Sequence, residues 1–300
     1  MIVPQSPQLR RMLQYVGRPL LYLFVYDLVV VFVFKVLHWS WVSFPNIPLA
    51  LLGSAIGVVM GFRNNSAYDR WWEARKLWGT IVNNSRSWAR QVLQIAAPDV
   101  EDLQFAQKRM IYLHIAFVHA LRQHLRRLEP WPELERLLTQ EQLEELCGDD
   151  NVPLRLQLQM GRMLRECVRR GWIDSLQWAQ MDTTLNDLAD AQGGAERIKN
   201  TPMPKQYDYF PQLFTHIYCL VLPLALVNTL GWYTPLGSTL VGFIFLALDK
   251  IGRDLEDPFD NTLFDVPLTS ITRGIEINLR QLLNEKDIPP PEQPVHGVLW

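Results

Sequence analysis

Cysteine is scarce in this 300-residue chain: Cys147, Cys167 and Cys219 are odd in number and share no short spacing. That arithmetic argues against a disulfide framework or a thiolate zinc site and leaves reduced, structural thiols as the expectation. No glycine-rich phosphate loop, nucleophile elbow or paired-histidine protease motif occurs, so no enzyme is expected. His114, His119 and His124 recur every five residues. On a helix that step turns successive rings by about 140°, which keeps them off one metal-binding face. A dominant charge is also missing, since 29 Lys and Arg stand against 31 Asp and Glu, and no nucleic-acid partner is expected. Runs alternating with period two are few, which predicts an all-α protein.

What the chain has is segregation. Charged residues are 20% and hydrophobic ones 48%, averages typical of a soluble protein. Yet residues 20–37, 47–62, 210–230 and 235–248 are apolar while 63–209 is a long polar stretch. The partition predicts a polytopic membrane protein with four transmembrane helical spans and a large helical cytosolic region, in contact with a lipid bilayer. Its parts are 1–62 with the first helix pair, 63–209 cytosolic, 210–252 with the second pair, and 253–300 as a C-terminal cytosolic segment. Two of the runs are shorter than the roughly 20 residues of a full crossing, which points to mutually shielded helices.

Arg10, Arg11 and Arg18 precede the first run, Arg63, Arg70, Arg75 and Lys76 follow the second, Lys199 and Lys205 precede the third, and Lys250 and Arg253 follow the fourth. The connections 38–46 and 231–234 carry no Lys or Arg. The positive-inside rule therefore places both termini and the insertion in the cytoplasm, with Trp39, Trp41, Trp232 and Tyr233 at the opposite interface. Asp27 and Lys35 interrupt the first run and no small-residue cleavage pattern follows, so that run is expected to be retained.

Within the insertion, Phe105, Ile111, Ile115, Val118 and Leu125 recur at helical spacing until Pro130 and Pro132, which predicts a helix that stops there. Further helices are expected over 133–147, 154–170 and 174–191, with a turn at Gly193-Gly194. Arg122, Arg126 and Arg127 read as a solvated face or as partners for Glu129, Glu133 and Glu135, with an anion pathway as the alternative.

The densest information lies in 51–78, LLGSAIGVVMGFRNNSAYDRWWEARKLW. Gly53, Gly57 and Gly61 share one helix face and admit a close neighbour. Three interior glycines cost a helix about 1 kcal/mol each against Ala, so they call for a packing reason. Ser54, Val58 and Phe62 form a second stripe, rotated by about 100°, suited to face a central axis.

The segments GFRNNSAYDRWWEARKLWG (61–79), ERIKNTPMPKQY (196–207) and DLEDPFDNTLFDVPLTSI (254–271) resemble the bestrophin family, in particular its bacterial branch, in matching order along nearly the whole chain. The resemblance implies a homopentameric channel in a bacterial plasma (inner) membrane, passing monovalent ions through one continuous pore. It implies a hydrophobic neck at Ser54, Val58 and Phe62, and a cytosolic aperture at Met203 between Pro202 and Pro204. Ser54 departs from the bulky apolar residue usual at its turn, and a hydroxyl there is expected to wet that end of the neck. Chloride is the ion most associated with the family, and a monovalent cation such as sodium is the alternative. Animal bestrophins bind calcium at an acidic belt resembling 254–265. Here Asp257, Asp260 and Asp265 are spread about a Pro-Phe turn, so a structural turn is expected rather than a calcium site, and no cofactor. A secondary transporter and a membrane-anchored scaffold remain open beside the channel. Saturable, gradient-coupled flux would mark the first and absence of conductance the second.

Overall fold

The computed structural model describes residues 15–44, 47–96, 100–295 and 297–300. Arg10, Arg11 and the end of the 38–46 connection lie outside them. The described residues are helical, with one isolated antiparallel bridge between Val295 and Val298 and no strand. The helices are α1 (Gly17–Lys35), α2 (Leu49–Leu93), α3 (Val100–Arg126), α4 (Trp131–Leu134), α5 (Gln140–Glu144), α6 (Val152–Arg169), α7 (Ser175–Asn200), α8 (Lys205–Leu230), α9 (Thr234–Glu256) and α10 (Leu268–Leu282). The described residues group into two compact units: 15–71 with Pro202–Asp257, and Trp72–Thr201 with Pro258–Trp300.

The first unit holds α1, the start of α2, α8 and α9. Among the described residues two stretches are long and apolar enough to cross a membrane: Gly17–Lys35, and Lys205–Glu256, which contains both α8 and α9. The latter turns back at Gly231, whose φ of 54° lies in the left-handed region that glycine tolerates. α1 packs on α8 and α9 through small clusters such as Val16, Leu23, Cys219 and Leu246, and Val30, Val31, Val42 and Val227. Its remaining apolar residues face outward: Leu21, Tyr22, Val25, Leu28, Val29 and Phe32 are exposed, Tyr22 at 73%. A continuous apolar surface on this scale fits lipid rather than water. One carboxylate sits inside. Asp27 is fully buried and accepts hydrogen bonds from Ser238 Oγ at 3.0 Å and Thr239 Oγ1 at 3.1 Å, joining α1 to α9.

In the second unit α3 is central, packing on α6, α7 and α10. Its residues Met110, Ile111, Ile115, Phe117 and Leu121 are fully buried. The later part of α2 buries Ala74, Trp78, Ile81, Ser85, Trp88 and Val92. Those positions step by four and three alternately, the 3.5-residue repeat that keeps one helix face against a core. α7 runs through Gly193-Gly194 where a turn is expected from sequence. The physical reason is close packing: a Cβ at Gly194 would come 2.8 Å from Leu77 Cδ2, so glycine here serves helix approach and not chain reversal. The helix expected over 133–147 is instead split, because Thr139 starts α5 with a capping box in which its hydroxyl and the Gln142 side chain satisfy each other's backbone amides.

A buried polar cluster joins α3 to α10. Glu276 is fully buried and accepts from His119 Nε2 at 2.9 Å, Arg136 Nη1 at 2.6 Å and Arg273 Nη1 at 3.0 Å. Burial alone would raise its pKa, but bonds from His119 and Arg136 outweigh it and hold the carboxyl well below the usual range. His114, bonded to Ser85 Oγ at 2.8 Å, is fully buried and pushed down to about 3 by desolvation. His119 is lowered too, chiefly by burial. The three groups act with one sign. Unfolded histidines take up protons below about pH 6.5 and an unfolded Glu below about 4.3, whereas the folded groups resist, so stability present at neutral pH is lost on acidification. The thermal midpoint in detergent is expected to fall from pH 7 toward pH 5, as each histidine withdraws up to about 1.4 kcal/mol of unfolding free energy per pH unit. His114→Gln should flatten that slope; an unchanged slope would remove His114 from the account.

Candidate functional site

The apolar start of α2 has two unlike faces. Ile56, Met60, Arg63 and Ala67 are buried, and Ile56 and Met60 pack with Tyr218 and Leu222 of α8. Thr215 Oγ1 adds a hydrogen bond to Met60 Sδ at 3.4 Å. Ser54, Val58 and Phe62 lie on the other side, with Val58 59% and Phe62 67% exposed. An i, i+4, i+8 series of exposed residues is one stripe by helix geometry. The structure thus brings the three expected neck residues onto one open face of the single chain. Ser54 Oγ donates to the Ala50 carbonyl at 2.7 Å, so its proton is spent within the helix and only lone pairs remain to hold water.

The glycine stripe divides. A Cβ on Gly53 would lie 2.9 Å from Tyr218 Oη, in a pocket where the tyrosine ring also meets Phe245 with centroids 4.8 Å apart. Among the described residues nothing lies within 4 Å of where Gly57 or Gly61 would carry a Cβ, so of the three glycines Gly53 is the one that meets a described neighbour from its own chain.

Met203 sits half-buried in the extended connection between α7 and α8. Pro204 is the N-cap of α8. Asp257, Asp260 and Asp265 of the 254–265 segment are separately engaged. Asp257 ends α9 with Arg70 Nη2 4.0 Å away, at the limit of an ion pair. Asp260 pairs with Lys199. Asp265 is buried and accepts from the Thr262 amide at 3.0 Å and from its hydroxyl; burial raises its pKa, and the Thr262 bonds oppose this. Asp265 is thus bonded as the cap of a turn. Among the described residues no three His, Cys, Asp or Glu side chains converge as a metal set. The three spaced histidines go to different partners: His114 to Ser85, His119 to Glu276, and His124 to within 3.6 Å of Glu196. Arg122 pairs with Glu133 as expected, but Arg126 bonds Thr269 Oγ1 at 2.7 Å in place of a nearby glutamate.

Sequence reasoning missed Arg63, treated above only as one of several positive charges after the second run. Its guanidinium is 1% exposed, donates to the Asp249 carbonyl at 2.9 Å and to Asp249 Oδ1 at 3.0 Å, and pairs with Asp208. The missed signal was its phase. Arg63 continues the buried series Ile56, Met60, Arg63, Ala67, which a helical count from the apolar residues would have exposed.

Long apolar helices with outward apolar faces, interior polar clamps and an open apolar stripe on α2 define a helical membrane protein. The chain matches the family described as bacterial/fungal bestrophin protein over residues 9–281, and it belongs to that family. It is 35% identical over 293 residues to the voltage-dependent anion channel-forming protein YneE of Escherichia coli K12, covering 95% of each chain. It is 37% identical over 253 residues to YneE of Salmonella typhi, covering 84% of this chain and 82% of that protein. The crystal structure of a bacterial bestrophin homologue from Klebsiella pneumoniae superposes with a TM-score of 0.84 at 30% identity, over 89% of this chain and 98% of that one.

The unequal surroundings of the glycines generate a test. Gly53→Leu is expected to lower the folded yield, costing about 2 kcal/mol or more by overpacking against Tyr218. Gly57→Leu, with open space around it, should leave the chain's own thermal stability in place. Equal losses in both would show that the stripe packs against one shared neighbour within the chain.

Proposed function

We propose that the protein is a passive monovalent ion channel of the bestrophin type, with chloride favoured, assembled as a homopentamer in a bacterial inner membrane. In this reading Ser54, Val58 and Phe62 from each copy line the neck, Met203 forms the cytosolic aperture, the termini are cytoplasmic, and 63–209 with 253–300 lie on the cytosolic side. The observation that carries it is the exposure of Val58 and Phe62 on a helix whose opposite face is packed. Large apolar side chains left open opposite a packed helix face require something to face, and rings of such residues block hydrated ions by dewetting until they widen. The names borne by the YneE relatives favour an anion. Gly57 and Gly61, whose Cβ positions meet nothing within 4 Å among the described residues, suit the approach of an adjacent copy.

Purified protein in planar bilayers tests the reading. Val58→Ala and Phe62→Ala should each raise single-channel conductance, by roughly twofold or more, because the ion keeps more of its hydration shell through a wider neck. Met203→Ala should change conductance or relative permeability. Reversal potentials under a salt gradient decide between chloride and a monovalent cation. Parental conductance and reversal potential in all three variants would sink the pore assignment.

A further inference from the structure

Arg63 follows Phe62 directly, and the two point about 100° apart around the helix, one into the packed interior and one into the open. A buried guanidinium is a poor means of adding stability, since an apolar residue of similar volume often serves as well. What it supplies is geometry: a planar fork of five donors that holds several acceptors at fixed angles. Here those acceptors belong to two other helices. Asp249 of α9 offers its carbonyl and Oδ1, and Asp208 offers its carboxylate from the first turn of α8. Arg253 Nη2, 2.8 Å from Asp249 Oδ2, balances the second carboxylate oxygen. Asn64 Nδ2 adds a bond to the Leu248 carbonyl at 2.9 Å.

The backbone of α9 is shaped to admit the side chain. A Cβ on Gly252 would collide with Asn64 Oδ1 and approach Arg63 Nη1 to 3.1 Å and Cζ to 3.2 Å. Asp249 is 1% exposed, whereas the Asp208 carboxylate is 38% exposed and borders the more open side. Beside it Phe62, Arg63, Tyr207 and Phe210 line a cavity of about 500 Å³. Asp208 also lies five residues after Met203, separated from it by Pro204 and the opening of α8.

We propose that Arg63 is a positioning residue that couples the two constrictions: through Asp208 it ties the first turn of α8, just beyond Met203, to the turn of α2 that carries Phe62. This rests on the pore reading of Phe62 and Met203 and goes beyond it. Two constrictions that were independent would act as resistances in series. Joined by a rigid guanidinium bridge, they adjust together, and a change at either shifts the preferred width of the other.

A double-mutant cycle on single channels in bilayers tests the coupling. Phe62→Ala and Met203→Ala, alone and together, are measured for conductance and open probability in the parent, in Asp208→Asn and in Gly252→Ala. The parent should show a non-additivity of about fivefold or more in the open-to-closed ratio. Asp208→Asn, which removes the exposed leg of the bridge, should reduce that factor to near one, and Asp208→Glu should restore it. Gly252→Ala alters no charge but displaces the guanidinium, and should also uncouple. If either variant fails to fold, the other carries the test. Single variants at Phe62 and Met203 without effect would defeat the pore reading itself. Effects that are additive in the parent, or a coupling that survives whichever of Asp208→Asn and Gly252→Ala folds, would overturn the bridge while leaving the pore reading standing.

Discussion

A segment that enters lipid has no water to satisfy its polar groups: its backbone is matched within the helix, and its buried charged side chains need partners on neighbouring helices. This constraint orders that unit. Asp27 finds two hydroxyls on α9, Asn64 finds a carbonyl on α9, and Arg63 finds a carbonyl and a carboxylate on α9 and a second carboxylate on α8. Apolar contact between helices in a bilayer is only weakly selective, since lipid tails compete for the same surface. The polar matches are what select one register of α1, α2, α8 and α9 over the slipped alternatives. α9 is the common receptor, and its small residues make room: Gly242 faces Leu23, and Gly252 faces Arg63.

The same chemistry reappears in the second unit with a different purpose. There Glu276 collects His119, Arg136 and Arg273 at the junction of α3 and α10. Apolar burial already drives that unit together through Trp78, Trp88, Phe117 and Leu121. A charged cluster within such a core has little to add in energy and much to add in specificity, because misalignment by one residue would strand a buried carboxylate. α2 contributes to both units.

Much of this was legible in the residues. The apolar runs, the helical class and the exposed stripe of Ser54, Val58 and Phe62 follow from periodicity, which reports which residues share a face. Periodicity does not report what the face meets. Gly53 and Gly57 look equivalent in sequence, yet only Gly53 has Tyr218 beside it. Gly193-Gly194 reads as a turn because local propensity favours one, and the packing against Leu77 that keeps α7 straight is a contact between residues more than a hundred positions apart. Arg63 was counted with the surface charges because positive residues after an apolar run usually snorkel to water. Its partners Asp208 and Asp249 stand 145 and 186 residues further along, beyond the reach of any local pattern.

The bonds between Asp27 and α9 also bear on how the chain is made. Ser238 lies 211 residues after Asp27. At a synthesis rate of about 5 to 20 residues per second, α1 exists for roughly ten seconds or longer before its hydroxyl partners leave the ribosome. During that interval a carboxylate in a helix meant for lipid has no match, and a polar group at a helix centre weighs against insertion. Until α9 arrives, α1 carries that cost alone, as an unmatched carboxylate in a helix otherwise apolar enough to cross the membrane.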